Sequence, residues 1–218
     1  MNGGFDSFSG FLVSQLRNAL PGPQAQMSMA PVNRSPESLV PPPDTDARIS
    51  SVLLLVYPQN AQPNFVLIER NTYDGVHSGQ MGLPGGKKEA HDPDLQSTAL
   101  RETQEEIGVQ PHQVQLIGSL TPLFIPVSKF LVHPFVGILQ ETPVFKPDPR
   151  EVASVFSVHP EWLLQPANRS ISKVNLGNGL SRQVPAFVLH EKIIWGATAM
   201  ILGEFSALIH PFYANKFN

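Results

Sequence analysis

The sequence predicts a mixed α/β domain built of packed layers of strands and helices. Runs rich in β-branched and aromatic residues are intermixed with segments of helical period, an order typical of layered α/β folds. The 218 residues, 41% of them hydrophobic, suffice for one domain with an appended arm. We therefore predict an N-terminal helix and proline-rich arm over residues 1–47, and the α/β domain over residues 48–218.

The N-terminal segment is predicted to form one helix and then an extended arm. Apolar side chains recur at helical spacing over residues 5–20. Residues 21–43 hold seven of the 22 prolines, and each proline fixes φ and removes a hydrogen-bond donor, which favours extended chain. We expect this segment to pack on the domain or to contact a second copy of the chain in a homodimer.

The domain is predicted to begin with two neighbouring strands at residues 49–57 and 64–70. A glycine-dotted loop then leads to a helix at residues 94–107, with Asp92 or Pro93 as its N-terminal signal and Gly108 as its stop. Further elements follow this helix. Strands are predicted at residues 114–118, 129–139, 152–158 and 184–190, and helices at residues 161–164 and 196–207.

The composition argues against several classes of protein. A net charge of −3 without a basic stripe indicates no nucleic-acid partner. The absence of cysteine excludes disulfides, thiolate metal sites and cysteine nucleophiles. The apolar runs are far shorter than the ~20 residues that span a bilayer, and no signal-peptide pattern begins the chain. We therefore expect a soluble, cytoplasmic protein without membrane contact.

The segment at residues 101–108, Arg-Glu-Thr-Gln-Glu-Glu-Ile-Gly, is the most informative about function. On a helix Glu102, Glu105 and Glu106 share one face, where three carboxylates repel one another. A hard cation such as Mg²⁺ relieves this repulsion, because it prefers oxygen ligands. A solvated helix surface is the alternative interpretation. The preceding Pro84-Gly85-Gly86-Lys87 favours a site, because glycines let a backbone carbonyl approach a metal or phosphate.

These residues resemble the signature of the Nudix hydrolase family, which joins a glycine and an acid to Arg-Glu-hydrophobic-x-Glu-Glu-x-Gly. Counting from Gly86, Asp92 stands at the acid position, and one extra residue separates it from Arg101. That spacing looks like the coenzyme A pyrophosphatase branch, and segments elsewhere are similar to the same branch. These segments are residues 65–70, 77–80, 84–87, 98–102 and 194–199. The resemblance covers about residues 49–208 and implies a Nudix-type α/β/α sandwich with a mixed sheet.

The resemblance also implies roles for individual residues. Glu102 and Glu106 would bind Mg²⁺ or Mn²⁺, and Glu105 would be a third ligand or the proton acceptor. Arg101 would position Glu105, and the Gly86 carbonyl would complete the metal site. The expected substrate-binding residues are Arg70, His77 and Lys87.

Three further acidic residues are candidates for supporting roles. Asp92, with Glu89 as a rival, would support a metal-bound water or the loop. Glu151 is a candidate for a general base supplied by a distant loop, and a plain surface carboxylate is the alternative.

The resemblance implies a pyrophosphatase acting on a small nucleotide-type molecule. The leading hypothesis is hydrolysis of coenzyme A or a derivative to 3′,5′-ADP and a phosphopantetheine product. The alternatives are a pyrophosphatase acting on ADP-ribose or another nucleoside diphosphate derivative, and a nucleotide-binding module without catalysis.

Overall fold

The computed structural model describes residues 4–71, 79–175 and 180–214, and within them an eight-stranded mixed sheet forms the centre of the chain. Its strands are β1 (Arg48–Gln59), β2 (Gln62–Arg70), β3 (Met81–Gly82), β4 (Gly85–Lys87), β5 (Gln115–Ser119), β6 (Leu123–Ile125), β7 (Phe130–Ile138) and β8 (Val152–Val158). A second sheet has three strands in the order β11-β10-β9. These are β9 (Arg169–Asn175), β10 (Ser181–Leu189) and β11 (Lys192–Trp195).

The central sheet has the strand order β3-β2-β1-β7-β5, with β4 also paired to β1, β6 to β7 and β8 to β2. Strands β1 and β7 run parallel, and the remaining pairs are antiparallel. A parallel pair needs a long crossover, which the chain supplies with the helix α3 (Leu95–Ile107).

Strand β1 separates two hydrophobic cores, because successive side chains of a strand point to opposite faces. Leu54 and Val56 belong to the core that contains the helices α1 (Phe5–Gln15) and α4 (Gly196–Tyr213). Leu53 and Leu55 belong to the core under α3. Helices thus cover both faces of a mixed sheet, and the predicted α/β/α sandwich is confirmed.

The ends of α3 explain its boundaries. The Asp94 side chain accepts a hydrogen bond from the backbone N–H of Ser97 at 2.7 Å, which makes Asp94 the N-cap. Gly108 ends the helix in the left-handed conformation at φ 77°, as predicted. The assignment of Asp92 or Pro93 to the helix start is wrong, because the Asp92 carboxylate is engaged by Arg101.

The N-terminal segment differs from the prediction in two ways. Helix α1 ends at Gln15, and a second helix, α2 (Gly22–Met27), together with a 3₁₀ turn at Pro36–Leu39, lies within the residues predicted to be extended. Each element has a proline in its first turn. A proline is tolerated there because the N–H that it lacks would have no partner within the helix. The segment also buries Phe8 and Leu12 in the core that contains α4.

A buried glutamate joins α2 to α4. The Glu204 carboxylate accepts hydrogen bonds from the Gly22 N–H at 3.1 Å and the Gln26 side-chain amide at 2.9 Å. It also accepts from the Thr121 hydroxyl at 2.7 Å and the Thr121 N–H at 3.1 Å. Both carboxylate oxygens are therefore satisfied by neutral donors, and they fix the N-terminal segment to the sandwich.

The remaining differences concern short or late elements. Strands β3, β4, β6, β9 and β11 were not predicted, since two to seven residues give little periodicity. The segment at residues 161–164 is part of a 3₁₀ helix, Pro160–Leu164. Helix α4 runs through Pro211 to Tyr213, and the burial of Ile209 and Tyr213 holds its last turns in place. In the described parts of the chain, every helix is too short or too polar to cross a membrane.

Candidate active site

Gly85 and Gly86, which we call the glycine loop, meet α3 where β4 pairs with β1. Gly85 has φ 147°, and a Cβ at this position would lie 2.3 Å from the Ser51 carbonyl oxygen. A Cβ on Gly86 would lie 2.4 Å from the Glu102 carboxylate. At Gly85 the clash is with backbone, so a larger residue would push the loop off β1, whereas at Gly86 a larger residue would displace the Glu102 carboxylate. The Glu102 carboxylate consequently lies directly against the loop backbone.

Glu106 is the most buried acid of the predicted cluster, with a side chain 1% exposed. Its Oε2 accepts a hydrogen bond from the Gly85 N–H at 2.8 Å. Its Oε1 lies 3.0 Å from Arg70 Nη1, yet this ion pair lacks hydrogen-bond geometry. Burial raises the pKa of Glu106 to about 7, against the opposing effect of the Arg70 charge. A buried carboxylate with an oxygen that accepts no hydrogen bond is suited to take up a cation.

The three glutamates occupy different environments although they share a helix. The Glu102 side chain is 14% exposed, whereas that of Glu105 is 55% exposed. Arg101 lies between them, with Nη2 2.9 Å from Glu102 Oε1 and Nη1 2.8 Å from Glu105 Oε2. Burial raises the pKa of Glu102, and the Arg101 charge opposes the change. Arg101 thereby restricts the rotamers of both carboxylates.

Asp92 lies behind Arg101 rather than among the glutamates. Its buried carboxylate accepts from Arg101 Nε at 2.9 Å and Nη2 at 3.0 Å. It also accepts from the Glu89 N–H and the Thr98 hydroxyl, each at 2.9 Å. The Arg101 guanidinium, followed by these donors, holds the pKa of Asp92 well below its usual range. Asp92 therefore holds the loop and Arg101 together, while the Glu89 side chain is exposed.

The predicted substrate-binding residues have different positions. Arg70, at the end of β2, donates to the Gly85 carbonyl at 2.8 Å and pairs with Glu106. Lys87 is exposed at the end of β4, and its carbonyl accepts from Arg101 at 3.2 Å. His77 lies outside the described residues. Of these three, the structure thus brings Arg70 into contact with the glutamate cluster.

Two further residues lie close to this surface: Glu151, which the sequence had already made a candidate, and Thr198, which it had not. The loop that carries Glu151 is attached to the end of α3: the Asp148 N–H donates to the Glu106 carbonyl at 3.0 Å, and the Glu151 N–H donates to the Asp148 carbonyl at 3.0 Å. Thr198, on the first turn of α4, has its hydroxyl 4.0 Å from the position of a Cβ built on Gly82, and Arg70 Nε is at the same distance from that point. The similarity at residues 194–199 was the sequence signal for Thr198, whereas its closeness to Gly82 depends on the packing of α4.

The carboxylates of this cluster are candidate ligands for a divalent metal ion. Among the described residues, no group of three His, Asp or Glu side chains is arranged to coordinate one metal ion. The donor set nevertheless fits Mg²⁺ or Mn²⁺, since it consists of carboxylates lying against a glycine backbone. The Glu106 oxygen that accepts no hydrogen bond is the observation that most favours a cation.

Fold and site together define an α/β/α sandwich in which a carboxylate cluster lies against the Gly85-Gly86 backbone. A family model described as NUDIX domain matches residues 47–175, more than half of the chain. The chain belongs to the Nudix domain family.

Curated relatives agree with this assignment. Nudix hydrolase 15, mitochondrial, from Arabidopsis thaliana is 34% identical over 81% of this chain and 62% of the relative. The Nudix hydrolase NudL of Photorhabdus laumondii is 31% identical over 79% of this chain and 92% of the relative. Nudix hydrolase 22, chloroplastic, from Arabidopsis thaliana is 32% identical over 85% of this chain and 59% of the relative. The chain thus spans less than two thirds of the length of the two plant relatives. These similarities support the expectation of a Nudix-type enzyme.

Proposed function

We propose that this chain hydrolyses the diphosphate bond of coenzyme A or a derivative, giving 3′,5′-ADP and a phosphopantetheine product. The reaction breaks one P–O bond at the bridging oxygen and adds water across it, so each product keeps one of the two phosphate groups. The observation that carries the proposed chemistry is the buried Glu106 carboxylate at the Gly85 backbone, with one oxygen that accepts no hydrogen bond.

Glu102 and Glu106 would hold Mg²⁺ or Mn²⁺, with Glu105 and the Gly86 carbonyl as further oxygen ligands. When bound, such an ion neutralises the diphosphate and lowers the pKa of a bound water. Arg101 keeps the Glu102 and Glu105 carboxylates in fixed rotamers. Arg101, Glu105 and Glu106 are accordingly our proposed catalytic set.

Proton acceptance at neutral pH needs a carboxylate that water can reach. Glu105 meets this condition, because its side chain is 55% exposed and Arg101 holds it in place. Glu151 is the competing acceptor, since its charge acts on Glu102 and Glu106. A comparison of Glu105→Gln with Glu151→Gln distinguishes them, because loss of the acceptor lowers turnover by about 10²-fold or more.

Substrate phosphates would contact Arg70 and Lys87, with His77 as the third proposed contact. A guanidinium matches phosphate oxygens with two parallel hydrogen bonds, and Arg70 already lies against the cluster. The preference for coenzyme A is supported by the sequence similarity at residues 65–70 and 194–199. Arg70 and Thr198, which belong to these two stretches, both approach Gly82.

The test is product analysis by mass spectrometry on coenzyme A and ADP-ribose in parallel, each with Mg²⁺, with Mn²⁺ and with chelator. Release of 3′,5′-ADP from coenzyme A that needs the metal supports the proposal. Turnover of ADP-ribose alone would replace coenzyme A with the alternative substrate. Tight binding of either nucleotide without turnover under both metals would indicate a binding module instead.

A further inference from the structure

An apolar groove and an exposed valine lie next to each other where the N-terminal segment meets the central sheet. We propose that they form a two-fold interface between two copies of this chain, in which Val127 of each copy enters the groove of the other. The interface is independent of the proposed reaction, and it involves none of the residues that we place in the active site.

The groove has a volume of about 420 Å³, and four of the eight residues that line it are prolines. Pro41, Pro42, Pro43 and Pro126 line it together with Val40 and Phe124, and the exposed residue Glu37 is part of the same wall. Val40 is 64% exposed although it is apolar. Prolines lose little side-chain freedom on binding, so burying this wall would cost little conformational entropy.

Val127 lies on the turn between β6 and β7, and hydrogen bonds fix the conformation of this turn. Val127 is 96% exposed, and the Lys129 N–H donates to the Pro126 carbonyl at 3.4 Å beneath it. Arg48 Nε donates to the Ser128 carbonyl at 3.1 Å, and the Arg48 guanidinium lies 4.2 Å from the centre of the Phe130 ring. A solvent-exposed apolar side chain on such a fixed turn is preorganised for binding, because the turn loses little further conformational entropy when the side chain is buried.

The positions of turn and groove favour a second copy as the occupant. Pro126 lines the groove and Val127 follows it directly, so the protruding side chain stands at the rim of its own groove. A two-fold axis at this rim would place each valine in the opposite groove, and such a contact closes with two copies.

The charges are complementary under the same symmetry. Lys129 is exposed on the turn, and Glu37 lines the groove, so two Glu37–Lys129 pairs would form across the axis. Asp44 is exposed immediately after Pro43 and adds a second acid on the groove side. Arg48 is already engaged by the Ser128 carbonyl. The groove side thus carries two exposed acids, Glu37 and Asp44, and one partly buried cation, Arg34, which donates to the Phe124 carbonyl, whereas the turn side is basic.

The test is the oligomeric state of the full chain, measured by sedimentation equilibrium from about 1 µM to about 1 mM, the range in which small specific interfaces dissociate. We expect a monomer–dimer equilibrium whose dissociation constant rises at least tenfold in Val127→Asp. Val144→Asp is the matched control, because Val144 is also an exposed valine, at 80% exposure, and lies in a different loop. We expect this control to dimerise like the wild type.

Charge reversal tests the orientation. Glu37→Lys and Lys129→Glu should each weaken the dimer several-fold, and the double variant should recover most of the loss, because the pair is re-formed with opposite signs. A wild-type chain that stays monomeric throughout the range would overturn the interface and leave the proline wall to a different protein partner. Equal weakening by Val127→Asp and Val144→Asp, or a double variant without recovery, would overturn it as well.

Discussion

Two buried glutamates lie on opposite sides of the central sheet and are satisfied in opposite ways. Glu204 on α4 accepts hydrogen bonds at both oxygens from neutral donors of three residues. Glu106 on α3 has one backbone donor and one guanidinium, and its Oε1 accepts no hydrogen bond. Burial by itself therefore does not indicate function. The difference lies in the capacity that remains to accept a further ligand, which Glu106 retains and Glu204 has used.

The largest expected effect is on stability, in Glu204→Ala. The change removes the acceptor of the buried Gly22 N–H and of the partly buried Thr121 donors, and loss of a buried network costs about 3 kcal/mol or more in the free energy of unfolding. Urea denaturation measures this loss. Glu191→Ala, at an exposed position on the turn before β11, is the control and should change stability by less than about 0.5 kcal/mol. A Glu204→Ala variant as stable as this control would contradict the structural role of the Glu204 carboxylate.

The second prediction concerns Glu106→Gln. We expect an intact fold, because glutamine preserves the volume and can still accept from the Gly85 N–H. Turnover should nevertheless fall by about 10²-fold or more, the scale of a lost electrostatic contact in the transition state. Steady-state kinetics with Mg²⁺ and circular dichroism measure the two properties, and Glu141→Gln, at an exposed position, is the control. Wild-type turnover in a well-folded Glu106→Gln would refute the assignment of this carboxylate.

The third prediction concerns Asp92, a buried acid whose charge is compensated by Arg101. Asp92→Asn removes charge-assisted hydrogen bonds to Arg101 and should cost about 2 kcal/mol of stability at pH 7. The Asp92 pKa is depressed in the folded chain, so its stabilisation is fully present above the unfolded pKa of about 4 and is lost as pH falls through the folded pKa. The stability gap between wild type and variant should therefore narrow as the solution is acidified. Denaturation curves between about pH 7 and pH 3 test this, and a gap that widens in acid would contradict it.

The smallest expected effect is on the stability of Glu105→Gln. Glu105 pairs with Arg101 at an exposed position, where ion pairs contribute about 0–1 kcal/mol. Because Asp92 continues to hold Arg101, we expect a change in the free energy of unfolding below about 0.5 kcal/mol. The same urea titration measures it at low and high salt. A loss as large as that of Asp92→Asn would show that Glu105, rather than Asp92, fixes the guanidinium.

Local periodicity was sufficient for the mixed α/β class and for placing the acidic residues on one helix face, whereas the α/β/α sandwich was implied by the family resemblance. Periodicity could not show that Glu106 is buried and Glu105 exposed, since the face of α3 that meets the sheet is decided by packing. Asp92 and Asp94 are equally good helix signals, and only the reach of Arg101 distinguishes them. Glu204 gave no signal within an apolar helix, because its donors come from residues far away in the chain.

The Glu204 network also bears on the order in which the chain acquires its structure. Its contact with Gly22 joins residues 182 positions apart, so α2 leaves the ribosome long before its acceptor exists. During that interval the apolar face of α1 has no partner in α4, and a nascent chain exposes it to chaperones or to other chains. The N-terminal segment is therefore translated early and reaches its native packing late.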